Sequence, residues 1–423
     1  MTGRLRDVER PSRYKDLLRR IAGVQVRHPL LTLGAILVLT VVLIGGIAQV
    51  RTVASLEQMM PRDVEEIAAF NDLRDAGLGQ DMLAIVLTID PDARAVPGKD
   101  VLSYDTYQFV RDLKTRIAAE DLVLASDAYS DIIDGAARQQ GITAIDEQTY
   151  ATIIADPRVR AQLGQFVNED RTVTTILISA DVSADDLRMN LLADTIAQDV
   201  DAAGRPAGVR IDITGTPVIQ QRLGEVIKHD RELTERLSAL FVFIVVAIVF
   251  GSIIAAFVPM ASILLSIVWL YGMMGYLDLP ISTLAGGVAA MVIGIGVDYS
   301  IHLRNKFEYE RKKGETLEYA VEETMANTGY VLTTVTIVTG LAFLAFTLGQ
   351  MPEMGRFGLL MAMGTTLAFI LSVIGLPALF IIEEKAIYWV TGHVRFGVEQ
   401  ELSLAPNKKA ASTKRELERL GRR

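Results

Sequence analysis

Six long apolar runs divide the chain into segments that could cross a membrane. They cover residues 30–50, 237–251, 253–276, 281–303, 330–348 and 357–382. A hydrocarbon core about 30 Å thick is crossed by roughly 20 apolar residues of helix. The second and third runs together are too long for one helix, and we place a turn at Gly251, because glycine adopts turn conformations readily. The pattern therefore predicts an α-helical membrane protein with six transmembrane helices.

Residues 51–236, between the first and second runs, show the periodicities of strands and helices. Strands are predicted at 82–90, 122–130, 171–181 and 209–215, and helices at 105–120, 147–167 and 183–204. Asp105 is the expected N-cap of the first helix, while Ser183 and Asp186 form a capping box for the last helix, which Gly204 ends. The order β-α-β, helical insertion, β-α-β is typical of a split βαβ domain. We therefore predict an α+β domain of ferredoxin-like build (βαββαβ).

The distribution of charge predicts the orientation. Residues 1–28 carry eight lysines and arginines, and the tail at 383–423 is also basic. Segments rich in Lys and Arg stay in the cytoplasm, so we expect 1–29 and 383–423 there, 51–236 outside, and 237–382 in the remaining membrane bundle. The basic ends then need no nucleic acid to explain them. Residues 51–236 have 33 acidic and 19 basic side chains, a net charge of −14, which indicates solubility or, alternatively, selection of a cationic substrate.

The residue types argue against enzyme chemistry. The chain has no cysteine and only four histidines, which are scattered along the sequence. A metal site built from these side chains is therefore not expected. The sequence has neither a G-x-S-x-G nucleophile motif nor a G-x-x-x-x-G-K-[ST] phosphate loop. We predict no enzyme activity, no cofactor and no metal.

One carboxylate, Asp298, lies inside the fourth apolar run. A charge in the bilayer centre costs roughly 2.5–3.5 kcal/mol on insertion scales, so an acid at such a position is a functional candidate. Two glycines and a methionine share its helix face, and glycines and threonines share a face of the fifth run. At the spacing i, i+4, i+7, i+11 they are Gly287, Met291, Gly294 and Asp298, and then Gly329, Thr333, Thr336 and Gly340. Because small residues allow close helix packing, we expect Asp298 to face protein, with threonine hydroxyls opposite it.

This arrangement predicts a proton site at Asp298. A carboxyl group that loses its proton between packed helices creates a charge that must be compensated, and the compensation can drive a helix movement. Two structural alternatives stay open. Asp298 could be a hydrogen-bonded packing residue, or it could reach water near the inner membrane surface, with His302 one helical turn further along.

Residues 294–344 carry the sequence GIGVDYSIHLRNKFEYERKKGETLEYAVEETMANTGYVLTTVTIVTGLAFL. The combination of G-x-G-x-D-Y, a charged helix end and a threonine-rich helix resembles the RND superfamily of transporters, in its MmpL and HAE3-like branch. The segments MMPRD at 59–63 and TGTPVIQ at 214–220 extend the resemblance over nearly the whole chain. So does the layout of one span, an external domain and five further spans. His302 departs from the MmpL pattern, which usually has phenylalanine at that position.

The resemblance implies roles for particular residues. Asp298 and Tyr299 would form a proton relay, and Thr333 or Thr336 would supply the hydroxyl partner. The expected helix-packing glycines are Gly287, Gly294, Gly296, Gly329 and Gly340. The domain at 51–236 would be a porter-type domain.

The predicted function is secondary transport. A gradient of protons, or alternatively of Na⁺, would drive the export of hydrophobic or amphiphilic molecules, lipids among them. The family usually has two such repeats in a chain and one is visible here, so we expect a half-size form that works as a homodimer in the cell membrane, with a trimer or a heteromer as alternatives. The competing hypotheses are a lipid-sensing, sterol-sensing or scaffold protein without transport, and an accessory subunit of protein export. The expected partners are a lipid-like substrate and membrane lipids, and not nucleic acid.

Overall fold

The computed structural model describes residues 13–52, 61, 64–75, 81–90, 100–180, 182, 186–204, 206–282 and 284–391. The chain divides into two compact units. We call residues 1–52 with 229–423 the helical unit, and residues 53–228 the sheet unit.

The described residues form the following elements in chain order. They are α1 (Arg13–Arg27), α2 (Pro29–Ile47), α3 (Glu65–Asp75), β1 (Asp81–Ile89), α4 (Tyr104–Ile117), β2 (Val123–Ala128), α5 (Tyr129–Gln139), α6 (Glu147–Ala155), α7 (Pro157–Leu163), β3 (Val173–Ala180), α8 (Asp186–Ala202), β4 (Val209–Gly215), α9 (Thr216–Phe250), α10 (Ile253–Tyr276), α11 (Val288–Lys312), α12 (Leu317–Thr324), α13 (Tyr330–Leu344) and α14 (Pro352–Thr391). Short 3₁₀ turns precede α11 (Ala285–Gly287) and follow α13 (Ala345–Leu348), and a π-helix, Met325–Gly329, joins α12 to α13.

Six helical segments are long and apolar enough to cross a membrane. They are Pro29–Ile47, Thr216–Phe250, Ile253–Tyr276, Ala285–Lys312, Leu317–Leu348 and Pro352–Trp389. The number agrees with the six predicted spans. The second and third are separated where the sequence suggested, because α9 ends at Phe250, Gly251 adopts a φ of 61°, and the Ser252 hydroxyl caps α10 by accepting from the Ala255 amide at 3.3 Å.

The helical unit is held together by close contact between α2 and α10. A Cβ atom added to Gly46 would lie 2.1 Å from the Gly272 carbonyl oxygen, and one added to Gly275 would lie 1.7 Å from the Gly46 carbonyl oxygen. These distances leave no room for a side chain, so only glycine allows the two backbones to approach. Beside them, the Trp269 indole N–H donates to the buried Thr40 hydroxyl at 2.8 Å.

The sheet unit contains a four-stranded antiparallel sheet in the order β2-β3-β1-β4. Alternate side chains of β1, from Leu83 to Ile89, are buried, as strand periodicity requires. They join one apolar core with buried side chains of α4, such as Val110 and Leu113, and of α8, such as Ile196. Each of these helices connects two strands that are separated by another strand of the sheet.

Local details of the sheet unit differ from the sequence-based expectations. The N-cap of α4 is Ser103, whose hydroxyl accepts from the Thr106 amide, and not Asp105, which lies inside the helix. The second strand ends at Ala128, because the Asp131 carboxylate accepts from the Ala128 amide at 2.8 Å and starts α5. Helices α5, α6 and α7 make up the insertion.

The C-terminal signal of α8 can be located, whereas its capping box cannot. Gly204, just beyond α8, has a φ of 72°, the left-handed conformation that ends many helices. Residue 183 and the side chain of residue 186 lie outside the described part of the chain.

Three tyrosines join the insertion to α4 and to the segment before it. The rings of Tyr107 and Tyr150 lie 4.8 Å apart between centroids. The Tyr150 hydroxyl donates to the Leu102 carbonyl at 2.8 Å, and the Tyr129 hydroxyl donates to the Val101 carbonyl at 3.0 Å. Burial raises the pKa of Tyr150 above its usual value, so this hydroxyl stays a donor at neutral pH.

We expect Gly46→Leu to loosen α2 from α10, because even a Cβ atom would overlap the Gly272 carbonyl oxygen. Overpacking of this kind costs about 1–3 kcal/mol, and the detergent-solubilised variant should unfold at a lower temperature than the unmodified chain. Gly34→Leu is the matched control, since nothing lies within 4 Å of a Cβ atom at that position of α2. Equal unfolding temperatures for the two variants would contradict the close contact.

Candidate functional site

Asp298 lies near the middle of α11 on an uncovered face of the helix. Its side chain is exposed and has no hydrogen-bond or ion-pair partner within the described residues. Met291, two turns earlier, is 48 % exposed, and nothing lies within 4 Å of a Cβ atom added to Gly287 or Gly294. Within the described part of the chain, no other helix therefore covers this face, which was expected to pack against protein. We call Gly287, Met291, Gly294 and Asp298 the open stripe of α11.

Tyr299, about 100° further around the helix, points into the helical unit. It is 2 % exposed, and its ring lies edge-on to Phe369 of α14 at 6.2 Å between centroids. The Thr336 hydroxyl of α13 lies 3.1 Å from the Tyr299 hydroxyl and 2.8 Å from the Leu332 carbonyl oxygen. A threonine has one hydroxyl hydrogen, so when it donates to the carbonyl, Tyr299 is the donor between the two side chains. This pair of hydroxyls links α11 to α13.

Thr333, the other candidate hydroxyl, has a different neighbour. Its oxygen lies 2.8 Å from the Gly329 carbonyl oxygen and 2.9 Å from the hydroxyl of Tyr14 in α1. Of the two threonines, the structure therefore places Thr336, and not Thr333, beside Tyr299. Nothing in the sequence pattern pointed to Tyr14, because α1 precedes the first span and is separated from Thr333 by more than 300 residues.

Asp298 opens into a cavity of about 580 Å³ between α11 and the middle of the fifth membrane segment. The polar side chains of its wall are Asp298, Tyr299 and His302 from α11, Asn327 and Thr328 from the π-helix, and Thr339 from α13. The remaining wall is apolar. Asn327 and Thr328 were not among the site residues predicted from the sequence. Their signal was a polar pair placed directly before a long apolar run.

The predicted packing glycines fall into two groups. A Cβ atom at Gly296 would lie 3.4 Å from the Ala368 side chain, and one at Gly329 would lie 3.5 Å from the Met325 side chain, so both are in ordinary contact range. At Gly287, Gly294 and Gly340 nothing lies within 4 Å. The tight positions of α14 are instead Gly358, where a Cβ would lie 2.3 Å from the Phe343 carbonyl oxygen, and Gly364, where it would lie 2.4 Å from Val292.

Two buried ion pairs fix the end of α11 to α14. Arg304 contacts both carboxylate oxygens of Glu383, at 2.7 and 2.9 Å. Arg311 contacts both oxygens of Glu384, at 3.1 and 2.9 Å. Paired contacts of this kind fix geometry as well as charge. The helix that carries Asp298 is thus anchored to α14 beyond the cavity.

The described residues hold no group of three or more His, Cys, Asp or Glu side chains that could bind a metal ion. The chemistry of the site is therefore that of one carboxyl group, one phenol, one imidazole and neighbouring hydroxyl and amide groups. These groups can bind, hold and exchange protons, and they can order water.

Comparison with known proteins relates the chain to a family of membrane proteins. The sequence model of the MMPL family matches residues 95–410. The membrane protein MJ1562 of Methanocaldococcus jannaschii is 26% identical over 377 residues, which cover 88% of this chain and 95% of that protein. Mycobacterial relatives are longer. "Probable transport protein MmpL12" of Mycobacterium tuberculosis is 24% identical over 57% of this chain and 23% of its own length.

A further mycobacterial relative is described by its cargo. "Probable trehalose monomycolate exporter MmpL3" of Mycobacterium leprae is 29% identical over 42% of this chain and 19% of its own length. The chain thus spans about a quarter or less of the mycobacterial relatives that it matches and nearly all of the archaeal one. In the mycobacterial proteins, the matched part is one portion of a larger protein.

We expect Thr336→Val to destabilise the helical unit, because the buried Tyr299 hydroxyl would lose its partner. An unsatisfied buried hydroxyl costs about 1–3 kcal/mol, measured as a lower unfolding temperature in detergent. Thr334→Val is the matched control, since Thr334 is exposed on the same helix and its hydroxyl contacts only the Tyr330 carbonyl. The Tyr299–Thr336 contact would be unsupported if both variants unfolded like the unmodified protein.

Proposed function

The chain belongs to the MMPL family, and on this premise we propose that it is a secondary transporter that uses a proton gradient to export hydrophobic or amphiphilic molecules. Its cargo would be lipid-like, as the name of the mycobacterial exporter among its relatives suggests. The protein would reside in the cell membrane, with both termini in the cytoplasm and the sheet unit outside. The basic residues at both ends of the sequence support this orientation, because Lys and Arg are retained on the cytoplasmic side.

One observation carries the proposal: a carboxyl group near the middle of α11 opens into a mainly apolar cavity that contains a few polar side chains, beside the Tyr299–Thr336 hydroxyl pair. A charged carboxylate at this depth needs water or a polar partner, while a protonated one does not. Binding and release of a proton at Asp298 would therefore favour different arrangements of α11 and α13. A proton gradient would drive the helices between these arrangements.

The movement would reach the sheet unit through α9. This helix follows β4 directly and continues for 35 residues to Phe250, so its last turns form the second membrane span. The sheet unit would act as a porter-type domain of ferredoxin-like build. The strand order β2-β3-β1-β4, with α4 and α8 each crossing one intervening strand, supports this assignment.

Two copies would complete the proton site. The open stripe of α11 leaves Asp298 without a partner among the residues that the structure describes, and glycines at two of its four positions would permit close approach of another helix. In a two-fold dimer the same stripe of each copy would face the other, since such interfaces use the same patch twice. The second copy would cover Asp298 and exclude lipid from it.

We expect Asp298→Asn to abolish proton uptake, because the amide cannot bind and release a proton in this range while it keeps the size of the side chain. The test uses proteoliposomes with a pH-sensitive dye inside and an imposed pH gradient. Asp194→Asn, in the sheet unit, is the matched control and should keep full uptake. Absence of proton uptake by the unmodified protein, with lipids added and Na⁺ also tested, would contradict the proposal and favour a lipid sensor or scaffold.

We expect a single cysteine at Met291 to cross-link two copies on mild oxidation, because the open stripe would lie at the dimer axis. The chain has no cysteine of its own, so the background is clean. Val38→Cys, which is 66% exposed on α2, is the control and should give only collisional cross-links. Equal yields at both positions would contradict the proposed interface, and the mass of the detergent-solubilised protein would distinguish a dimer from a trimer.

A further inference from the structure

His302 is an ionisable side chain that the proposed proton site has not yet used. It lies four residues after Asp298 on α11, and residues at this spacing are neighbours on the surface of a helix. Both side chains line the same cavity. His302 is exposed and has no hydrogen-bond partner within the described residues, so its two ring nitrogens are available to water in the cavity.

The cavity has the size and the polarity to hold water. Its volume of about 580 Å³ compares with roughly 30 Å³ for one water molecule in the liquid. Water stays in a protein cavity where polar groups can bind it. Asp298 and His302 on α11, and Asn327 and Thr328 on the π-helix, supply such groups, so the cavity can hold a chain of water molecules between the carboxyl group and the imidazole.

Polar contacts continue from the cavity to the protein surface. The Asn327 amide donates to the Glu323 carboxylate, whose other oxygen lies 3.2 Å from a guanidinium nitrogen of Arg19 in α1. The Arg19 side chain is 47% exposed. Asn327 lies in the π-helix and lines the cavity, whereas Glu323 lies one turn earlier, on α12. Asn327, on the cavity wall, is thus connected to α1, at the end of the bundle on the proposed cytoplasmic side.

We propose that His302 passes protons between Asp298 and water on the cytoplasmic side. In the inward step the O–H bond of the Asp298 carboxyl group breaks, and an N–H bond forms on the imidazole, directly or through one water molecule. The imidazolium then releases the proton from its other nitrogen to cytoplasmic water, which restores the neutral ring. Imidazole suits this role because its two nitrogens can accept and donate in turn near neutral pH.

The charged groups around His302 fit a relay. On α11 they are Asp298 before it and Lys306 after it, and Lys306 is paired with Glu310 at 2.6 Å. Beyond Asn327, which lines the cavity and donates to Glu323 of α12, lies Arg19 of α1, and Glu323 and Arg19 pair with each other. Asp298 has no ion-pair partner within the described residues.

The inference rests on the proposed function, and the test separates the two. Proton uptake is measured in proteoliposomes for the unmodified protein, Asp298→Asn, His302→Ala and His302→Phe. We expect both His302 variants to slow uptake about tenfold or more, in line with the loss of an acid–base group. His28→Ala, which removes an exposed histidine at the start of α2, should keep full uptake.

Added imidazole distinguishes a chemical role of His302 from a structural one, because it would not restore proton uptake if the ring served only the structure. It should restore uptake in His302→Ala, where the missing ring leaves space. It should not restore uptake in His302→Phe, in the double variant Asp298→Asn with His302→Ala, or in vesicles without protein. Substituted imidazoles of different basicity should restore uptake to different extents. Unfolding temperatures of the variants check that each one is folded.

Each possible result of these measurements either supports the relay or overturns it. Slow uptake with rescue by imidazole supports the relay. Full uptake in His302→Ala or His302→Phe, while Asp298→Asn has none, overturns the relay and leaves the proposed function intact. Slow uptake without rescue assigns His302 a structural role and also overturns the relay. If the unmodified protein takes up no protons, the proposed function fails, and the relay fails with it.

Discussion

A carboxyl group in the middle of an apolar helix constrains everything around it. In hydrocarbon its charged form needs a polar partner or water, and Asp298 has no such partner in its own chain within the described residues. Two features of the surrounding structure can stabilise the charged form. A cavity that contains several polar side chains opens on one side of the carboxyl group, and the open stripe of α11, with glycines at two of its positions, continues on its uncovered side. The first can supply water, and the second can accept another helix.

The helical unit combines rigid and open contacts. Helices α2 and α10 touch through glycine backbones, and α11 is anchored to α14 through the paired Arg304–Glu383 and Arg311–Glu384 contacts. Between α11 and α13, by contrast, a cavity and one hydroxyl contact take the place of close packing. A helix pair of this kind can change its arrangement at lower cost than a close-packed one, because packed interiors resist deformation. The proposed movement is therefore located at the cavity, where α11 and α13 are not closely packed.

The sequence predicted the features that depend on local pattern. The six apolar runs, the break at Gly251 and the strands of the sheet unit follow from periodicity and from glycine. Features that depend on contacts between distant segments were out of reach. No local signal distinguishes Gly46 and Gly275, which touch another backbone, from Gly294, which touches nothing. The π-helix, and with it the position of Asn327 on the cavity wall, depends on tertiary packing. The N-cap of α4 is Ser103 and not Asp105. Both are good capping residues, and the path of the chain determines which of them takes the capping position.

The central claim is that Asp298 exchanges protons, and it is tested most directly by observing its carboxyl group. Infrared difference spectroscopy of the protein in lipid bilayers, with the pH changed in steps, resolves the band of a protonated carboxyl group in an apolar environment. The account predicts a band that diminishes as the pH rises through the range in which proton uptake occurs, and that is missing from Asp298→Asn. A spectrum in which this band is independent of pH, or is unchanged in the variant, would contradict the claim that Asp298 exchanges protons.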